Sequence, residues 1–168
     1  MKLYYIIIFT FLSINVFSQT NSSIESNQDI DKFEIRSNVF KLISELNISF
    51  SDNNIQSTTD QLEKLKTISA YSTKVKSASL LIEDYFNNYI LNSNLDQLIE
   101  FQDEDYYIDI YIDENENLLI EEISMLVTNI NSTNTIYLQI LGEIDLEKIV
   151  ALATELNVPG ANFLKKIN

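Results

Sequence analysis

The densest apolar stretch of this sequence covers residues 117–156 and has the pattern of two β-strands followed by a helix. In the second strand every other residue is apolar, which is the period of a half-buried strand. The first strand alternates in the same way but also carries Leu126 on its other face, so we expect it to be partly covered on both sides, near the middle of a sheet. The alternating apolar residues are Ile123, Met125, Val127, Ile136, Leu138 and Ile140.

Polar residues and glycines mark where these elements begin and end. Residues 129–134 (NINSTN) favour a turn, because Asn and Ser hydrogen-bond to their own backbone, and they predict an antiparallel hairpin. At Gly142 a side chain would obstruct a bend or a close backbone approach. Asp145 is placed to cap a helix, and Pro159 and Gly160 end that helix. Its apolar stripe consists of Leu146, Ile149, Val150, Ala153 and Leu156.

Shorter patterns precede this stretch. Residues 75–91 carry apolar side chains every three or four positions, which predicts the longest helix of the chain. A shorter helix is predicted to begin at Ser37, and strands are predicted at residues 31–35 and 106–113. Residues 62–71 are predicted to be a loop that enters a strand, and residues 95–101 a segment that ends in a strand. The element order is therefore βαβαββββα. It predicts an α+β fold, a mostly antiparallel sheet of about five to six strands with about three helices packed on one face.

The strand at residues 106–113 (YYIDIYID) presents two faces of different chemistry. Its three isoleucines, Ile108, Ile110 and Ile112, are expected to face the core. The opposite face is a candidate interaction surface, because tyrosines supply rigid amphipathic contact area. A solvated sheet face, or a tyrosine layer beneath a loop, is the alternative interpretation. The residues of this face are Tyr107, Asp109, Tyr111 and Asp113.

The run from Ile120 to Val127 (IEEISMLV), followed by a hydrophobic strand that ends in residues 142–146 (GEIDL), resembles the family named domain of unknown function 4252. The resemblance covers residues 118–156 best and weakens toward residue 30. It implies an exported protein, of a kind found mostly in Bacteroidota, with no assigned activity. It supplies no catalytic residues.

Residues 1–18 are predicted to be a cleaved signal peptide. Lys2 gives a short basic region, an apolar segment follows, and Val16 and Ser18 satisfy the small-residue rule for cleavage before Gln19. An uncleaved membrane anchor is the alternative, but the apolar segment is short for a bilayer span. Residues 19–29 are expected to be a disordered leader, and residues 30–168 a single α+β domain.

Composition excludes several classes of function. The chain has no cysteine, which rules out a lipid anchor and disulfides, and no histidine, which removes Ser-His-Asp nucleophiles and most catalytic zinc sites. Two glycines leave no P-loop and no dinucleotide fingerprint. Without residues 1–18 the chain holds 10 basic and 25 acidic residues, a net charge of −15. Such a surface repels nucleic acid phosphates, so nucleic-acid binding is not expected.

Two chemistries based on oxygen ligands or carboxylates stay open. Asp113, Asn115 and Asn117 occupy every second position, as in a calcium-binding loop, although Leu118 and Ser124 stand where such a loop needs Gly and Glu. A looser calcium site competes here with an ordinary polar turn. Glycoside hydrolysis needs two carboxylates at a fixed separation. The acidic residues at 103–105, 109 and 113 are the candidates.

The sequence as a whole predicts an exported, soluble protein of the periplasm or the cell exterior that binds an unknown envelope protein or ligand without catalysis. No cofactor and no transmembrane helix after signal cleavage are expected. A carboxylate-based hydrolase acting on glycans and a calcium-stabilised structural component are the two alternatives.

Overall fold

The computed structural model describes residues 22–45, 61–102, 104–117 and 119–165, so the predicted signal peptide lies outside the described residues. The strands are β1 (Asp31–Arg36), β2 (Leu65–Thr73), β3 (Asp96–Gln102), β4 (Tyr106–Glu114), β5 (Ile120–Asn129) and β6 (Thr135–Ile144). All six pair antiparallel in one sheet, in the order β1-β2-β6-β5-β4-β3. The predicted fold class, the number of strands and their order along the chain are confirmed.

The helices flank this sheet. They are α1 (Ser22–Ser26), α2 (Ser37–Glu45), α3 (Lys76–Asn92), α4 (Leu146–Glu155) and α5 (Ala161–Leu164), and residues 61–64 are also helical. None of the helices in the described ranges combines the length and the apolar character needed to cross a bilayer.

The predicted hairpin and its flanking signals are confirmed. β5 and β6 pair with Met125 opposite Leu138, and the turn closes with a hydrogen bond from the Asn129 N–H to the Asn134 carbonyl, 2.8 Å. Gly142 has φ +136°, and a Cβ there would lie 2.5 Å from the backbone oxygen of Lys64. The Asp145 side chain caps α4 by accepting a hydrogen bond from the backbone N–H of Lys148. Glycine at 142 is therefore required by a close approach of two backbones.

One side of the sheet, called here the aliphatic face, is covered by α2, α4 and α5. Alternate residues of the central strands point into this layer, and Ile110, Ile123, Met125, Leu138 and Ile140 are all completely buried. The helices supply Phe40, Ile149, Leu152 and Leu164 from their apolar stripes. This layer, which contains the three isoleucines of β4, is the main hydrophobic core.

The opposite side, called here the aromatic face, is covered by α1 and α3. Tyr137 lies at its centre, stacked on Tyr71 at a centroid distance of 6.0 Å and meeting Phe86 edge-on at 5.5 Å. Ile82 and Leu126 complete this second core. We expected α3 on the same side as the other helices, and it lies opposite because β5 and β6 carry apolar residues on both faces and need cover on both.

The segment expected to be a disordered leader also differs from expectation. Its residues 22–26 form α1, and Ile24 is 2% exposed within the aromatic core. The Glu25 carboxylate accepts hydrogen bonds from the Tyr71 hydroxyl and from Lys32, both at 2.6 Å. One apolar and one acidic side chain in an otherwise polar run are enough to fix this helix onto the sheet.

Candidate interaction surface

Helix α3 covers only part of the aromatic face. It packs over β6 and β2, and it reaches β4 through Phe86, whose ring lies edge-on to Tyr111 at 5.9 Å. Farther along the sheet β3 is exposed along nearly its whole length, and Tyr107 and Tyr111 of β4 are partly exposed. The half of the aromatic face formed by β3 and β4 is therefore accessible.

Hydrogen bonds link five side chains of this area, and we call these five the open surface. The register places Gln97 opposite Tyr111, and Glu100 opposite Asp109, so these residues project from the same side of the sheet as Tyr107. Three of the four residues that the sequence indicated are thus brought together. The open surface consists of Gln97, Glu100, Tyr107, Asp109 and Tyr111.

Hydrogen bonds organise the open surface around two carboxylates. The Gln97 Nε2 group donates to Asp109 Oδ1 at 2.9 Å and to Glu100 Oε2 at 3.4 Å. The Tyr107 hydroxyl donates to Glu100 Oε1 at 3.0 Å. Gln97 therefore holds the two carboxyl groups as neighbours, with a tyrosine on the outer side of Glu100.

The electrostatics of this cluster are unfavourable for two negative charges. Asp109 is only 8% exposed, and this burial, together with the nearby charge of Glu100, raises the pKa of its carboxyl, while hydrogen bonds from Gln97 and Tyr111 act in the opposite direction. Burial and the hydrogen bond to Glu100 raise the pKa of Tyr107 to about 12. The donors that we describe for the two carboxylates are all neutral, so an added cation would be stabilised here.

The surrounding chain reinforces this negative potential. No lysine or arginine occurs between Lys76 and Lys148, whereas the same stretch holds 16 acidic residues. It includes β3, β4 and β5, which form one end of the sheet. The basic residues Lys32, Arg36 and Lys66 lie in β1 and β2, at the other end. Charge is therefore segregated across the sheet, and the open surface occupies the acidic end.

The residues that suggested calcium lie beyond this surface. Asp113 is exposed near the end of β4. The Asn115 side-chain oxygen accepts hydrogen bonds from the backbone N–H groups of Asn117 at 2.9 Å and Leu119 at 3.2 Å, and its amide donates to Glu121 at 2.7 Å. These bonds organise a polar turn. In the described ranges no group of three or more acidic side chains is placed to hold a metal ion.

A second polar cluster lies beneath α3. One oxygen of Glu122 accepts hydrogen bonds from Tyr89 at 2.7 Å, from Ser124 at 2.8 Å and from Gln139 at 2.8 Å. The neighbouring Tyr137 hydroxyl is buried and makes no hydrogen bond with the described residues. The Glu122 cluster ties α3 to β5 and β6, which is a structural role.

A groove of about 800 Å³ lies at another part of the molecule, where β6 leads into α4. Two of its acidic residues are paired, since Glu143 contacts Lys64 and Asp145 contacts Lys148 while it caps α4, and the third, Glu63, accepts a hydrogen bond from Ser44. The hydrogen bond from Lys148 lowers the pKa of Asp145. Gln61 bonds the backbone on both sides of the turn, at Glu143 and Asp145. Most of the charged residues of this groove therefore have partners and brace the β6–α4 turn.

Sequence reasoning missed Gln97 and Glu100. The residues of β3 do not alternate cleanly, because a bulge between Gln97 and Ile99 changes the face on which each side chain lies. The available signal was Glu100, a polar residue that follows the apolar pair Leu98 and Ile99. Without the pairing of β3 with β4, this signal does not show on which face of the sheet the Glu100 side chain lies.

Sequence comparison gives a family but no characterised relative. The family described as Domain of unknown function (DUF4252) matches residues 21–152, the part of the chain that holds all six strands. No curated protein and no solved structure matches the chain. The chain belongs to the domain of unknown function 4252 family.

Proposed function

We propose that this protein is an exported, non-catalytic binding module whose partner contacts the open surface. Export is supported by the basic, apolar and small-residue pattern of residues 1–18. The binding role is supported by one observation above all. A cluster of tyrosines and carboxylates, without a compensating cation in the bonds we describe, is left accessible by the helix that covers the rest of its face.

The chemistry of the open surface suits recognition. Tyr107 and Tyr111 offer aromatic area with few rotatable bonds, the property that makes tyrosine frequent at the centres of interfaces. Glu100 lies at the rim and is exposed, so it can meet a positive charge without a large desolvation cost. Asp109 lies below it and strengthens the negative potential. A partner with positively charged groups is favoured on these grounds.

The experiment is capture from envelope extract by immobilised residues 19–168, followed by a saturation measurement with the recovered partner. We expect a saturable partner whose capture falls at least tenfold for Glu100→Lys and for Tyr107→Ala. Glu45→Lys makes the same charge change at the end of α2, on the aliphatic side of the sheet, and should capture normally. Equal capture by all three variants, or no saturable partner under several conditions, would contradict the proposal.

A carboxylate-based hydrolase is the second candidate, and one observation favours it. The pKa of Asp109 is raised beside Glu100, and Gln97 bonds both carboxyl groups. A carboxyl group with a raised pKa beside a second carboxyl group is an arrangement that glycoside hydrolysis uses. Hydrolysis of a glycan substrate by the wild-type protein, abolished in Asp109→Asn, would favour this second candidate, whereas a binding module should release no product from either protein.

A further inference from the structure

Strand β3 forms one edge of the sheet and, in the described part of the chain, has a neighbour only at β4. In an antiparallel ladder alternate residues direct their backbone N–H and C=O groups to opposite sides. Backbone groups at alternate positions of β3 therefore point away from β4, the arrangement through which a sheet edge can accept another strand. The strand spans seven residues, the length of an ordinary sheet strand.

The two edges of the sheet are protected in different ways. In β1, Lys32 pairs with Glu25 at 2.6 Å and with Glu34 at 3.3 Å, and Arg36 pairs with Glu34 at 2.7 Å. Lysine, short length and inward charge are the usual devices against edge-to-edge pairing. The sequence of β3, DQLIEFQ, contains no lysine, arginine or proline. β3 instead carries a bulge after Gln97 and the acidic residues Asp96 and Glu100, so this edge disfavours another acidic strand but matches a strand with basic side chains.

The two sides of β3 have different chemistry. Glu100 lies on the side of the open surface, over Asp109 and Tyr107. Phe101 lies on the other side, opposite Ile108, and is 41% exposed, while Leu98 at the bulge is 40% exposed. A strand added beside β3 would place alternate side chains on these two sides. One set would meet carboxylates and tyrosines, and the other would meet apolar area.

We propose that β3 accepts an extended segment of a partner protein as a seventh strand, with basic side chains over the open surface and apolar side chains beside Phe101. The inference rests on the proposed function and names the class of partner. Charge complementarity selects this partner, because the acidic end of the sheet has no lysine or arginine between Lys76 and Lys148. A second copy of β3 would instead bring Glu100 against like charge, which disfavours self-pairing.

The test uses synthetic peptides and amide hydrogen exchange on residues 19–168. The probe alternates lysine with valine over eight positions, and the control replaces every lysine with glutamate. We expect the basic peptide to bind and to slow exchange of the β3 amides at least tenfold. Its affinity should fall as the salt concentration is raised. The glutamate peptide should neither bind nor protect β3.

Two methylated probes separate strand addition from simple charge attraction. Methylating the backbone nitrogens of all lysines, or of all valines, blocks one side of the added strand and keeps the charge. Only one side can pair with β3, so one methylated peptide should lose binding and the other should keep it. Binding by both, or protection outside β3, would overturn the inference. Glu100→Lys should reduce the affinity for the unmethylated peptide at least tenfold, and Glu45→Lys, the control, should leave that affinity unchanged.

The outcomes distinguish this inference from the proposed function. Envelope capture that depends on Tyr107 and Glu100, without β3 protection by the basic peptide, would overturn strand addition and leave the binding surface in place. If the protein showed neither envelope capture nor β3 protection, both the strand addition and the proposed function would be overturned. A concentration-dependent dimer that Glu100→Lys strengthens and that slows exchange in β3 would identify a second copy as the occupant and would also overturn the inference.

Discussion

The aliphatic face and the aromatic face of the sheet bury side chains in different ways. The aliphatic face is a closed layer of isoleucine, leucine and methionine beneath α2, α4 and α5. The aromatic face combines tyrosine rings with carboxylates and hydroxyls, and α3 packs mainly over β2 and β6, contacts β5 and the near side of β4, and leaves β3 uncovered. The difference teaches that a closed apolar layer and an accessible polar cluster can lie on opposite faces of one sheet, and the accessible cluster is where we propose that a partner binds.

The largest expected effect comes from cutting a side chain on each face. Ile110→Ala removes a completely buried residue of the aliphatic face and should reduce the free energy of unfolding toward the upper end of about 2–5 kcal/mol. Leu126→Ala, on the aromatic face and 6% exposed, should cost about 2–3 kcal/mol, because flexible rings beside it can partly fill the space. Urea unfolding followed by circular dichroism measures both. A larger cost at Leu126 would break the comparison.

The hydrogen bonds to Glu122 on the aromatic face should contribute measurably to the free energy of unfolding. Glu122→Ala leaves the Tyr89 hydroxyl and the Gln139 amide without their acceptor and should cost about 1–3 kcal/mol of unfolding free energy. Glu122→Gln keeps one accepting oxygen and should cost less. Equal costs in urea unfolding would show that the carboxylate charge, and not the accepting oxygen, holds α3 in place.

The open surface should give a pH-dependent signature. The pKa of Asp109 is raised above its ordinary value of 3.8, so the folded state holds this proton more tightly than the unfolded state. The protonated Asp109 carboxyl therefore contributes its full stabilisation of the folded state below about pH 3.8, and this stabilisation is lost as pH rises through the raised pKa of the folded state. The stability of Asp109→Asn relative to wild type should rise across this window and then level off.

Thermal melts at a series of pH values measure that difference. Asp113→Asn, at the exposed end of the same strand, removes one carboxyl without a buried partner and serves as the control. A difference between Asp109→Asn and wild type that falls with increasing pH would contradict the burial argument.

Two tyrosines of the aromatic face should respond unequally to loss of the hydroxyl. Tyr71→Phe removes the hydrogen bond to Glu25 and should cost about 0.5–1.5 kcal/mol of unfolding free energy. Tyr137→Phe removes a buried hydroxyl that has no partner among the described residues, so it should change stability by less than about 0.5 kcal/mol. A large loss at Tyr137 in urea unfolding would reveal a buried polar partner, such as an ordered water.

The smallest expected effect is that of calcium on the turn after β4. The Asn115 oxygen already accepts two backbone hydrogen bonds, so we expect the melting midpoint in calcium to match that in chelator within about 1 °C. A ligand that binds only the folded state raises the midpoint. A clear rise with calcium, lost in Asp113→Ala, would favour the calcium-stabilised alternative.

Much of the fold follows from local patterns. The alternation of Ile108, Ile110 and Ile112 predicts their burial, and Gly142 and Asp145 predict the backbone approach and the helix cap that the structure contains. The side on which α3 lies is not encoded locally, because an amphipathic stripe fits either face of a sheet. The choice is made by Leu126 and Tyr137, which lie far from α3 in the sequence.

The open surface could be predicted only in part. Strict alternation in β4 placed Tyr107, Asp109 and Tyr111 together, but it did not show that Asp109 is buried, which depends on its neighbours across the sheet. Gln97 and Glu100 enter through strand pairing and a bulge. The order of strands in the sheet, which makes β3 an edge, also depends on contacts between distant residues.

The pairing of β2 with β6 has a consequence for how the chain reaches this state. Strands β3 to β6 are neighbours both in sequence and in the sheet, so they can assemble by successive hairpins. β2 aligns Ala70 with Leu138, so it pairs only once these distant segments meet. We expect this long-range pairing to be slower than the hairpins. Until it forms, the apolar strand β2 is exposed and prone to aggregation.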